Sequence, residues 1–252
     1  MTFDVAADAY DRFMGRYSGS LSPQLADLAR VRAGQRALDV GCGPGALTTE
    51  LVGRLGADAV VAADPSEPFV QAARQRHPGV EVAVAAAEDL PFDDGAFDAV
   101  LAQLVVSFMS DPVAGLGEMR RVTRAGGIVA ACVWDHAGGM APLSPLWRAV
   151  EELDPGARDE AGQAGAREGQ LAALFEAAGL GDVEDDELWV RVEHTSFEEW
   201  WRPFTLGVGP AGAYVAGLEA GRQSELREHG RRKLPAGPFV VTARAWAARG
   251  LV

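Results

Sequence analysis

The chain has 252 residues, 48% of them hydrophobic, and a formal charge of −13; it can bury a full core as one large domain, and its charge excludes tracking of phosphate backbones by clustered Lys and Arg. The expected partner is therefore a small molecule and not a nucleic acid. Two cysteines, Cys42 and Cys132, cannot build a disulfide framework, and with an acidic start and no run of about 20 apolar residues they predict a cytoplasmic protein without a membrane partner.

Residues 1–35 are read as a helical lid in which Tyr10, Phe13, Met14 and Tyr17 share helical spacing, either closing over a cleft or packing as a plain terminal helix. A strand at 36–41 carries Asp39 and empties into Gly41, Gly43 and Gly45 within ALDVGCGPGAL. Closely spaced glycines between a strand and a helix let the backbone approach a ligand. Leu47, Leu51, Val52 and Leu55 share one face of the helix that follows, which stops at Gly56. A second strand, 58–63, ends at Asp64, near the spacing of about twenty residues expected for a carboxylate that grips ribose hydroxyls. Phe69, Val70 and Ala73 mark the next helix, and strands follow at 80–84, 97–102 and 127–134. This alternation over 36–134 predicts βαβ units and a parallel sheet covered on both faces.

An irregular stretch, 135–168, carries Trp147 on a short helix. Leu171, Leu174, Phe175 and Ala178 then form a helical stripe capped by Gly179, and 182–192 alternates as a sixth strand. Residues 135–195 thus supply the remaining sheet and a linker. Helical spacing over 196–235 predicts an insertion above the acceptor site, and 236–252 is the final strand, rejoining the sheet at or beside its edge.

Four segments, LDVGCGPG at 38–45, Asp64, AEDLPFDDGAFDAV at 87–100 and EMRRVTRAGG at 118–127, resemble in order and spacing the class I S-adenosylmethionine-dependent methyltransferases. The resemblance is to the small-molecule group related to the ubiquinone and menaquinone C-methyltransferases. It implies an α/β, Rossmann-like fold with a seven-stranded, mostly parallel sheet, helices on both faces and a helical insertion before the last strand. It also implies S-adenosylmethionine as cofactor, S-adenosylhomocysteine as product and a small organic acceptor.

By that resemblance Gly41, Gly43 and Gly45 wrap the methionine portion. Backbone groups near Gly41 and Cys42 would hold its ammonium and carboxylate, and Asp39 would brace the loop or reach the ammonium through water. Asp64 would accept both ribose hydroxyls, a charge-assisted bidentate arrangement, and Leu47, Pro65 and Ser66 are counted among the cofactor-binding residues as well. Ala86, Ala87 and Glu88 would frame the adenine; Gln103 and Leu104 would lie beside the methionine, and Val105 and Phe108 near the methyl. Many members carry Asp or Asn where this chain has Ala86, and Glu88, Asp89 or backbone would take over that contact.

The same loop satisfies the dinucleotide fingerprint as Gly41, Gly43 and Ala46, so a nicotinamide-dependent dehydrogenase stands as the alternative. Asp39, Pro44 and the downstream LPF and RAGG segments count against it. A third reading is a catalytically silent protein that binds the cofactor. His136, beside Asp135 just past the fifth strand, is the one nameable general base, with a plain surface turn as its other reading and a mechanism without a base also open. His77 and His229 are read as hydrated helix surface, and no two histidines have metal-ligand spacing. Trp200, Trp201 and Phe204, with Tyr214, either line an acceptor pocket or serve as ordinary core. Acceptor identity and oligomeric state are not readable.

Overall fold

Alternating side chains along strands that are mostly apolar at the centre of the sheet fix the architecture of the computed structural model, which describes residues 7–252; the first six residues of the expected lid lie outside the described residues. The strands are β1 (Ala37–Val40), β2 (Val60–Asp64), β3 (Glu81–Val84), β4 (Phe97–Gln103), β5 (Thr123–Trp134), β6 (Gly181–His194) and β7 (Phe239–Leu251). They form a seven-stranded sheet in the order β3-β2-β1-β4-β5-β7-β6. β1 to β5 run parallel, whereas β7 is antiparallel to both neighbours. The final strand therefore enters one place in from the edge.

Successive residues of a strand face opposite sides, so each strand feeds two cores. On one side Ala37, Ala62, Leu101 and Cys132 pack with Leu21 and Leu25 of α2 (Arg16–Leu28) and Leu47 and Leu51 of α3 (Ala46–Leu55). On the other, Leu38, Val61, Val100 and Val129 pack with Leu116 and Met119 of α5 (Pro112–Val122) and Phe175 of α7 (Gln170–Ala177). Burial on both faces explains why these strands read as continuous apolar runs. Each fully buried Leu contributes about 1.5–3 kcal/mol.

α5 begins where Asp111 leaves the helix: its Oδ1 accepts from the amides of Val113 and Ala114 at 3.1 and 3.0 Å. Pro112 fits the first turn because its missing N–H is one that the helix would leave unpaired. Asp111→Ala should cost about 1 kcal/mol of stability, measured by denaturant unfolding, with no change in the sheet.

The insertion between β6 and β7 consists of α8 (Phe197–Trp201), a 3-10 turn (Arg202–Leu206), α9 (Gly209–Gly217) and α10 (Ala220–Lys233). Here the pocket reading of the aromatics gives way to the core reading. Trp200, Trp201 and Phe204 are each 3% exposed and pack on Phe197 and on one another, with Phe204 edge-on to Phe13 at 5.7 Å. They hold the insertion against the N-terminal helix. Tyr214 is likewise spent, its hydroxyl donating to Asp154 at 3.0 Å.

Candidate functional site

Reversal of strand order on either side of β1 opens a crevice at the carboxyl ends of the strands, where open α/β sheets hold ligands. A cleft of about 580 Å3 lies there. β1 is followed by a loop in which Gly41, Gly43 and Gly45 all have positive φ, +69°, +54° and +96°. At Gly41 space demands glycine as well, because a Cβ would stand 2.4 Å from Val105 Cγ2.

The loop amides are committed inside the protein. Those of Gly41 and Cys42 donate to the Ala63 carbonyl at 2.7 and 3.0 Å, and that of Gly45 to the Cys42 carbonyl at 2.9 Å. The Gly43 amide donates to Asp64 Oδ2 at 2.9 Å. This corrects the expectation that backbone donors near Gly41 and Cys42 meet a ligand carboxylate: they sew the loop to β2 instead. A pyrophosphate needs free N–H groups at such a loop, so the arrangement also disfavours the dinucleotide alternative.

Asp64 lies at the end of β2, 6% exposed, on the cleft wall. Its Oδ1 accepts from the Ser66 amide at 2.8 Å. A carboxylate offers about four lone-pair sites, so the Gly43 and Ser66 amides leave capacity for two further donors. Burial raises its pKa against the lowering effect of those two amides.

Asp39 does not border the cleft and ties the end of β1 to α3 through Thr48. It is 1% exposed, accepts from Thr48 Oγ1 at 2.6 Å, and keeps Oδ1 without a hydrogen-bond partner. Burial, opposed by that bond, pushes its pKa up from 3.8 to about 7. Between those values the folded chain retains a proton that the unfolded chain has released, so stability falls as pH rises through the window. Asp39→Asn should therefore raise the melting temperature by several degrees above pH 7 and leave it unchanged near pH 4; equal melting curves at both pH values would count against this assignment.

Of the remaining expected cofactor residues, Pro65, Ser66, Ala86, Ala87 and Glu88 border the cleft beside Asp64, and Gln103 at the end of β4 and Leu104, Val105 and Phe108 after it border its other side. Leu104 holds φ at +64°, a costly conformation for a branched side chain that clusters at ligand sites. Glu88 Oε1 accepts from the Ser110 amide at 2.7 Å, which ties the turn after β3 to the loop before α5. Buried Gln103 Oε1 has no hydrogen-bond partner, although Nε2 donates to the Ser18 carbonyl at 3.2 Å. Cys42, Gly45 and Leu47 do not border the cleft: Cys42 and Leu47 are buried in the core, and Gly45 sits over the His77 ring, 3.0 Å from where its Cβ would be. The hydrated-surface reading of His77 is thus corrected, since its Nε2 reaches Thr49 Oγ1 at 3.1 Å. His229 instead pairs with Glu152 at 2.8 Å.

The far side of the cleft is built after β5. Pairing of β5 with β7 ends at Trp134, and a turn over 135–140 is closed by Met140 N donating to the Asp135 carbonyl at 3.0 Å. Asp135 Oδ1 accepts from Gly138 N at 2.8 Å, and Oδ2 pairs with Arg244 of β7 at 2.8 Å. Asp135 therefore shapes the turn and does not orient the neighbouring imidazole. His136 projects from this turn to the cleft with its side chain 7% exposed, which settles against the plain surface turn.

Beside it stands Glu160, a residue that the sequence analysis did not single out. Glu160 Oε2 lies 3.9 Å from His136 Nδ1 and accepts from Trp147 Nε1 at 2.6 Å. Tyr10, Phe13 and Met14 border the cleft, Tyr17 instead bonds His194 at 2.9 Å, and the insertion contributes Gly209 and Pro210.

Charge on the walls has one sign. Asp64, Glu67, Glu88 and Glu160 border the cleft, and among the described residues no Lys or Arg does. Such walls attract cations and repel phosphates. Among the described residues no cluster of side chains has a metal-binding arrangement, and no helix is long and apolar enough to cross a membrane.

Residues 38–131 match a family model described as a methyltransferase domain. An uncharacterized methyltransferase of Mycobacterium tuberculosis is 38% identical over 135 residues, covering 54% of this chain and 52% of that protein. A demethylmenaquinone methyltransferase of Clavibacter sepedonicus is 39% identical over 138 residues, covering 52% and 55% respectively. The chain spans about half the length of these curated relatives. Among solved structures, the Haemonchus contortus Phospholethanolamine N-methyltransferase 2, in complex with phosphomonomethylethanolamine and S-adenosylhomocysteine, superposes with a TM-score of 0.60. It is 17% identical and covers 99% of this chain and 57% of that one.

Proposed function

We propose that this chain, whose residues 38–131 match a methyltransferase-domain model and whose fold is that of solved methyltransferases, transfers a methyl group from S-adenosylmethionine to a small organic acceptor. The observation that carries this reading is the joint placement of Asp64 and the glycine loop on the wall of an acid-lined cleft. The residues fit that cofactor. Its ribose presents two hydroxyls to the two remaining acceptor sites of Asp64, its net positive charge suits walls without Lys or Arg, and space opens beside Gly43, where a Cβ would meet nothing within 4 Å.

Pro65, Ala86, Ala87 and Glu88 would hold the adenine, and the unpaired Gln103 Oε1 would accept from the ammonium of the methionine portion. When bound, the cofactor supplies a methyl already made electrophilic by its sulfonium. What the protein adds is placement. Val105, Phe108 and the lid residues Tyr10, Phe13 and Met14 exclude water and hold the acceptor in line, and such orientation lowers a barrier by several kcal/mol, up to about 7–11 in favourable comparisons. His136 stands at the acceptor end as a proton acceptor, neutral at physiological pH because burial pulls its pKa down to about 4.

The acceptor is small, and the cytoplasm is the compartment that fits the two free, buried thiols. Isothermal titration tests the cofactor assignment: both S-adenosylmethionine and S-adenosylhomocysteine should release or absorb heat on binding, and NADH should not. Silence with both nucleosides, or saturable NADH binding, would overturn it. Methyl transfer to some member of an acceptor panel then separates an enzyme from a silent binding protein.

A further inference from the structure

We propose that Glu160 and His136 form a proton-accepting pair at the acceptor end of the cleft, and that the acceptor is a neutral molecule methylated at a hydroxyl or comparably acidic group. This rests on the methyltransferase reading above and adds the class of acceptor to it.

The pair is placed by the sheet. His136 follows β5, two strands from β1 in the order β1-β4-β5, and at about 4.8 Å per strand this sets it roughly 10 Å from the glycine loop. Asp64 lies on the opposite side of β1, so a nucleoside anchored there would have the β4 and β5 side of the cleft open to its other end. Glu160 arrives from the irregular stretch after α6 (Ser144–Leu153), and its carboxylate is held in place by the indole of Trp147 on that helix. Both side chains border the same cleft and are otherwise enclosed, 7% and 3% exposed.

The groups around the pair leave it as the local destination for a proton. Asp135, the nearest acid on the His136 turn, is taken up by Arg244 and the Gly138 amide. Asp159 adds negative charge beside both members, and no Lys or Arg borders the cleft among the described residues. Burial keeps the imidazole uncharged and pushes the Glu160 carboxyl from 4.5 up to about 7, near the working pH, where a general base is most effective.

An anionic acceptor would meet Glu160 with no cation to balance it. An amine enters as its ammonium form, which must also give up a proton before its nitrogen can attack; it is the alternative that failure of every hydroxyl probe to bind would favour. For a hydroxyl, the O–H bond breaks with its electrons left on oxygen and the proton passes to the pair. Oxygen then bonds the methyl carbon as the carbon–sulfur bond breaks, its electrons going to sulfur. The positive charge lost from sulfur is matched by the proton gained on the pair.

The test uses the full chain loaded with sinefungin, a cationic analogue that transfers no methyl, and 4-nitrophenol as probe, whose colour reports its ionisation. Near pH 7, where the Glu160 carboxyl titrates, a larger share of the bound than of the free probe should be the phenolate. Glu160→Gln and His136→Asn should each return the bound probe to the neutral form while sinefungin binding, read by titration calorimetry, is unchanged. Both should also slow methylation of phenolic acceptors by about a hundredfold and flatten the rise of kcat/KM with pH. The same ionisation state in all three proteins, or no hydroxyl probe binding the loaded chain, would overturn the proposal. Failure of sinefungin and S-adenosylmethionine to bind would instead sink the cofactor reading.

Discussion

Asp64→Ala is expected to weaken binding of S-adenosylmethionine by a hundredfold or more. Two charge-assisted hydrogen bonds to ribose are worth about 1.5–3 kcal/mol each, and about 3 kcal/mol in total already corresponds to roughly two decades of affinity. The side chain also receives the amides of Gly43 and Ser66, so the substitution loosens the glycine loop from β2 as well. Asp64→Asn separates the two effects, since its amide oxygen can keep one backbone donor but cannot serve two hydroxyls as an ionised group does. Calorimetric titration of both variants checks this. Affinity within a few-fold of the native chain for Asp64→Ala would remove the residue from the site.

Gly41→Ala is expected to destabilise the fold by about 3 kcal/mol and to abolish measurable cofactor binding. A positive φ costs a residue with a Cβ about 1–2 kcal/mol, and forcing a methyl to within 2.4 Å of Val105 Cγ2 adds an overpacking cost of about 1–3 kcal/mol. In a chain of this length that lowers the melting temperature by roughly 6–12 °C. The double variant with Val105→Ala should recover the overpacking part and not the backbone part. No recovery would mean that Val105 is not what excludes a side chain at position 41.

The half of the cleft proposed to hold the cofactor was legible as a local pattern. A strand end, three glycines and a carboxylate after the next strand are contiguous patterns, and parallel strands buried on both faces advertise themselves as apolar runs. Glu160 was not legible: it sits in a stretch without period, and only the packing of Trp147 brings it to His136. Trp200, Trp201 and Phe204 were ambiguous for another reason, since helical spacing of aromatics is the same whether the face meets core or ligand. The loop amides misled because their direction depends on the carbonyl of Ala63 in the neighbouring strand, which one-dimensional spacing does not encode.

Pinning of the turn at 135–140 by Arg244, through Asp135 and through the Arg244 amide donating to the Met140 carbonyl at 2.8 Å, has a consequence for the order of assembly. During synthesis the strands that carry the glycine loop and Asp64 emerge and can pair among themselves long before Phe239–Leu251 leaves the ribosome. His136 cannot reach its working position until that late segment slots between β5 and β6. On the proposed function, a nascent chain should thus become able to grip a nucleoside first, and able to act on a second molecule only when its last strand has closed the sheet.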